Sequence, residues 1–186
     1  MLNKTQRNLL LQIARESIAA VLDGRQPQVD ESRVDDTLRK PAGAFVTLKT
    51  HDDDLRGCIG SLQPVAPLFQ AVSMSAVNAA FRDPRFLPLQ KPEFDEISIE
   101  ISVMGPILRC SPEDVVVGRD GLIISYGRNA GLLLPQVATE YAWTREEFLR
   151  HTCVKAGLPP DTWQKPGCQI ERFEAEVFGE SELLSD

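Results

Sequence analysis

No apolar run in these 186 residues approaches the ~20 that a bilayer-crossing helix needs, and the longest are only a few residues. The first turn is polar (Asn3, Lys4, Thr5) where a secretory leader would place its apolar core, so no membrane anchor is expected and the cytoplasm is the expected location. Basic charge is scarce as well: 20 Lys and Arg stand against 27 Asp and Glu, the formal net charge is −7, and no basic stripe gathers along the chain. That balance repels a phosphate backbone and argues against a nucleic-acid partner. Histidines number two and cysteines four, with no CxxC pair, so neither a zinc-knuckle spacing nor a small disulfide scaffold is present. Internal repeats and low-complexity tracts are absent, which excludes solenoids and propellers, and neither a GxGxxG nor a Walker sequence occurs.

What is there is the composition of an ordinary globular chain, 42% hydrophobic and 25% charged. Residues 5–23 put Leu10, Ile13, Ser17 and Val21 on one helical face, with Gly24 as the stop. The polar stretch from Arg25 to Lys40 reads as a surface crossing. Segments 43–50 and 55–60 read as antiparallel strands around the loop His51-Asp52-Asp53-Asp54, and 67–82 as a second helix closed by Asp83-Pro84. The proline-punctuated stretch 85–94 reads as irregular, and 96–104 alternates strictly, with Ile97, Ile99, Ile101 and Val103 facing a core. A hairpin is expected at 121–134, a short helix from Pro135 to Glu140, and a longer one from 145 to about 156 behind the Thr144/Glu147 capping box. Residues 168–178 form a last alternating strand with Phe173, Ala175 and Val177 inward. Hairpin-joined strands with helices between them predict an α+β fold.

Chemistry concentrates in Leu55-Arg56-Gly57-Cys58-Ile59-Gly60. Alternation would send Leu55 and Ile59 to one face and Arg56 and Cys58 to the other, where a guanidinium beside the thiol favours the thiolate. Gly57 and Gly60 leave room for a ligand or for another backbone segment. The competing interpretation is a buried structural Cys58 behind a structural Arg56. Glu100, on the polar face of its strand, is a candidate base, or simply a solvent-facing charge. Asp83 and Arg85 are candidates for an anion-binding pair, or for a helix stop with a local ion pair. His51 with its three aspartates is a poor metal cluster, because consecutive residues cannot all point at one ion. His151 and Cys153 diverge on a helix, so no metal site is predicted.

In the order GAFVTLKT, LRGCIG, DPRFLPL, ISIEISVMGP, GLIISYG, GLLLPQVATE, FLRHTCVKAGLP and FEAEVFGE, these segments resemble the AMMECR family, also called AmmeMemoRadiSam system protein A, over about residues 5–180. The resemblance implies a single α+β domain over 5–180, with an antiparallel sheet flanked by helices, a smaller second lobe, an interlobe cleft, and a tail at 181–186. It leaves both the activity and any cofactor undefined. Its implied partners are a Memo-like protein and a radical SAM enzyme. The family signature falls on Arg56, Gly57, Cys58 and Gly60, with Asp83, Arg85, Glu100 and Gln136 as further matching positions. Two functions are therefore expected: an enzyme or accessory subunit holding a small anionic ligand near Arg56 and Cys58, or a non-catalytic adaptor for those partners.

Overall fold

The computed structural model describes residues 1–183. In chain order its elements are α1 (Lys4–Leu22), β1 (Ala44–Lys49), β2 (Leu55–Ser61), α2 (Leu68–Phe81), α3 (Lys91–Phe94), β3 (Ser98–Met104), β4 (Leu108–Arg109), β5 (Asp120–Tyr126), β6 (Asn129–Leu133), α4 (Pro135–Glu140), α5 (Arg145–Lys155), β7 (Gln169–Gly179) and α6 (Glu180–Leu183). The fold is α+β, with antiparallel sheet and flanking helices. The chain divides into two compact units, Met1–Met104 with the segment from Glu176 onward, and the smaller Gly105–Ala175.

In the first unit the strand order is β2-β1-β3 and then the end of β7. Ala44, Val46 and Leu48 of β1 and Ile97, Ile99 and Ile101 are buried in one core with Leu10, Ile13 and Ile18 of α1 and Val72, Ala76 and Ala79 of α2. The amphipathic face read from the sequence is the one that packs, and its single polar member is satisfied, because Ser17 Oγ lies 2.7 Å from Ser73 Oγ of α2. Glu180 ties distant elements together: its carboxylate takes Arg15 of α1 in two hydrogen bonds of 2.7 and 2.8 Å and accepts the Ile99 amide at 2.8 Å. Of the expected tail 181–186, residues to Leu183 form a helical turn and 184–186 lie outside the described residues.

In the second unit β5 lies between β6 and β7, and β4 pairs with β7. The capping box expected at Thr144 and Glu147 opens α5 with reciprocal bonds of 3.3 and 2.8 Å. Its inward face, Phe148, Leu149 and Cys153, closes a separate core with Leu122, Ile124 and Ala138.

Four local expectations are corrected. The stretch 25–40 is more than a surface crossing, because Leu38 is fully buried and Val34 nearly so, while Asp35 accepts the Thr37 and Leu38 amides and the Gln6 side chain. Within 85–94, Lys91–Phe94 makes a helical turn, with Pro92 in its first turn and Glu93 accepting the Gln90 amide. β3 is covered on both faces, Ser102 and Met104 being buried alongside the isoleucines and Val103 half-buried. Along β7 the buried side changes after Ala175, where the chain passes from the second unit to the first: Val177 is exposed and Phe178 enters the first core.

Candidate functional site

The register of β2 departs from simple alternation. Leu48 faces Gly57 and Lys49 faces Leu55, so Arg56 is an extra, unpaired residue in a bulge. Leu55 is consequently 42% exposed rather than inward. The expectation that Leu55 shares a face with Ile59 is thus overturned by one inserted residue. Arg56 sends its guanidinium to α3, where Nε and Nη2 grip the two Glu93 oxygens at 2.8 and 3.2 Å, and Nη2 also donates to Leu87 O at 3.0 Å. This bidentate fork holds the Glu93 carboxyl below the usual range, against the opposing effect of burial. Arg56 Nη1, shielded from solvent, has no hydrogen-bond partner among the described residues.

Next along the strand, the main chain of Cys58 is clamped. β2 is the outer strand of the unit's order, and a bare strand edge is open to unwanted pairing. Here Asp83 accepts the Cys58 amide at 2.9 Å and Arg85 Nη2 donates to Cys58 O at 3.3 Å, so two side chains stand in for the missing neighbour strand. Asp83 is buried (side chain 2% exposed) and also accepts the Arg85 amide at 3.1 Å, Arg85 Nε at 2.9 Å and Arg85 Nη2 at 2.7 Å. The Arg85 hydrogen bonds lead in holding its carboxyl far below the ordinary range, with the Cys58 amide adding to them against burial. The helix stop read at Asp83-Pro84 therefore doubles as an edge clamp.

The Arg56 and Arg85 guanidinium carbons lie 5.8 and 5.5 Å from the centre of the Phe86 ring. Together with Leu87, Pro88 and Glu93 these residues wall an open depression of about 640 Å³. Arg85 Nη1 donates to no group among the described residues, and the Arg85 side chain is 53% exposed. The depression is thus lined by two cations, each matched by a carboxylate, of which the Arg85 guanidinium is the exposed one.

The thiol of Cys58 is in different company. Cys58 pairs with Thr47, which pairs in turn with Glu100, so the three form one row across β2, β1 and β3. Thr47 Oγ1 lies 3.3 Å from Cys58 Sγ and donates to it. Glu100 is held by Lys49 at 3.3 Å, and Lys49 also meets Asp53 at 3.3 Å. Neither guanidinium bonds the sulfur; the arginine joined to Cys58 is Arg85, through the backbone.

A family model described as AMMECR1 matches residues 11–178. The chain belongs to the AMMECR1 family. It is 44% identical over 182 residues to Protein MK0488 of Methanopyrus kandleri, covering 93% of this chain and 87% of that one. To Protein MJ0810 of Methanocaldococcus jannaschii it is 41% identical over 190 residues, covering 98% and 94%. The crystal structure of PH0010 from Pyrococcus horikoshii shares the fold with a TM-score of 0.83 at 40% identity, over 92% of this chain and 89% of that one.

In this AMMECR1-family chain the predicted residues fall into separate groups. Arg56, Asp83 and Arg85 converge around the depression and the Cys58 backbone, whereas the Cys58 thiol and Glu100 flank Thr47 on the sheet. Gln136 lies on α4 of the second unit. Gly57 and Gly60 admit backbone: a Cβ at Gly57 would strike the Ala79 carbonyl of α2, and one at Gly60 the Ala44 carbonyl and Phe45. Sequence reasoning missed Glu93, Phe86 and Thr47. The Gln90-to-Glu93 capping pair, with a proline between, was the available signal for the first.

Elsewhere, His151 stacks on Trp143 with ring centroids 4.0 Å apart. Cys153 is buried, while Cys110 and Cys168 are half-buried against the second core, and burial pushes all three thiols up. Among the described residues no three His, Cys, Asp or Glu side chains group to hold a metal ion, and no helix is long and apolar enough to cross a membrane.

Proposed function

We propose that this AMMECR1-family protein binds a small anionic ligand in the depression beside Arg56 and Arg85, and acts as an enzyme or accessory subunit in one pathway with a Memo-like protein and a radical SAM enzyme. The observation that carries the ligand is Arg56 Nη1, a shielded guanidinium nitrogen with no acceptor among the described residues, on a side chain that lines the depression. Leaving a buried donor unpaired costs about 1–3 kcal/mol, more for a charged group, so an incoming oxyanion has a ready partner there. Family resemblance supports the two partners. The assay is an NMR titration of the arginine Nε–H signals with acetate. Shifts at Arg56 and Arg85, lost in Arg56→Lys, are expected; unchanged signals would reject the site.

A second reading, a non-catalytic adaptor, is favoured by the clamp: Asp83 and Arg85 spend most of their hydrogen bonds on the Cys58 backbone and on each other. The two readings part at the Cys58 thiol. Alkylation measured against pH by peptide mass spectrometry gives fast reaction below the ordinary ~8.5 if the thiol is a tuned nucleophile. A thiol inert until denaturation favours the adaptor, and co-purification with the Memo-like or radical SAM protein then becomes its test.

A further inference from the structure

Charge and wall chemistry at the depression narrow the ligand further, on the reading that an anion binds there. Each guanidinium already faces a carboxylate: Arg56 forks Glu93, and Arg85 forks Asp83. The local sum is zero, so one negative charge can enter beside the exposed Arg85 guanidinium, while a second would meet two fixed carboxylates with nothing left to offset it. The floor and rim also carry apolar surface that no protein group covers. Leu87 is 84% exposed, and Phe86, half-buried, turns its ring to both cations.

We infer that the depression takes a monoanionic carboxylate carried on an apolar, planar body, and discriminates against phosphate-like dianions. The carboxylate sits against the exposed Arg85 guanidinium, beside Phe86. The planar body lies on Leu87 and Pro88. A flat carboxylate suits a guanidinium edge, and an aromatic body gains from the exposed leucine what a bare acetate cannot.

Calorimetric titration of the wild-type protein at pH 8 with benzoate, acetate and phenylphosphonate tests this. Benzoate is expected to bind about tenfold tighter than acetate, from burial of a ring's worth of apolar area. It should also bind at least about tenfold tighter than phenylphosphonate, which keeps the ring and doubles the charge. Leu87→Ser, at an exposed position that folding does not need, should remove most of the benzoate advantage and leave acetate unchanged. Acetate matching benzoate overturns the apolar body, and phenylphosphonate matching or exceeding benzoate overturns the monoanion. Binding of none of the three instead rejects the anion site on which this inference stands.

Discussion

Replacing Asp83 by alanine removes the acceptor of the Cys58 amide and the partner of Arg85 in one step. The side chain is buried, and its oxygens take four hydrogen bonds, two of them from the Arg85 guanidinium. Breaking a fully buried ion pair costs about 3–5 kcal/mol, but Arg85 is half exposed and can turn to water, which brings the charge term down to about 1 kcal/mol. Adding the cost of an unpaired Cys58 amide, we expect a loss of about 2–4 kcal/mol. Urea unfolding reads it as a lower midpoint at unchanged slope. Hydrogen exchange reads the local part, as faster exchange of the Cys58 amide. The pH dependence has a definite sign. The folded-state pKa lies below that of the unfolded chain, so the stabilisation is complete above the unfolded value of ~3.9 and is lost as pH falls below it toward the folded value. Asp83→Asn, which cannot titrate, should therefore show a shallower acid limb than wild type. A midpoint shift equivalent to less than about 0.5 kcal/mol in Asp83→Ala, with Cys58 protection intact, would refute the clamp.

Three further substitutions test neighbouring claims. Gly57→Ala forces a methyl into the Ala79 carbonyl and should cost about 1–3 kcal/mol by thermal or urea unfolding; a neutral result would mean that α2 does not pack as described. Asp120, wholly buried in the second unit, accepts Arg119, Arg172 and the Val116 amide, so Asp120→Ala should lose about 2–4 kcal/mol in the same assay. Leu55→Lys separates the bulge from plain alternation: an exposed Leu55 predicts a change within about 0.5 kcal/mol, whereas an inward one predicts severe loss.

Most elements were legible because their signals are local. The α1 stripe, the Thr144 capping box and the isoleucine alternation of β3 each depend on residues within a turn or two of one another. The misses have non-local causes. Periodicity carries no mark of an inserted residue, so the bulge at Arg56 appeared only once β1 supplied a register. The outward turn of Val177 follows from β7 serving two cores in succession, which no window of β7 alone contains. At the candidate site, LRGCIG was recognisable as unusual, yet the partner of its arginine lies 37 residues away. A guanidinium of fixed reach could have met any of several carboxylates, and sequence spacing does not choose among them.

Of the polar groups that the sequence singled out, the Asp83 carboxylate, the Cys58 amide and carbonyl, and two nitrogens on each arginine are consumed by the protein itself. A role in holding the edge of β2 explains them without a ligand. It does not explain Arg56 Nη1, which a purely structural arginine could leave in water at little cost, but which is shielded and unpaired here. Nor does it explain why the exposed leucine stands beside it. Architecture therefore accounts for the conformation of LRGCIG and DPR, and the unpaired nitrogen beside an uncovered apolar rim is the feature on which the proposed anion site rests.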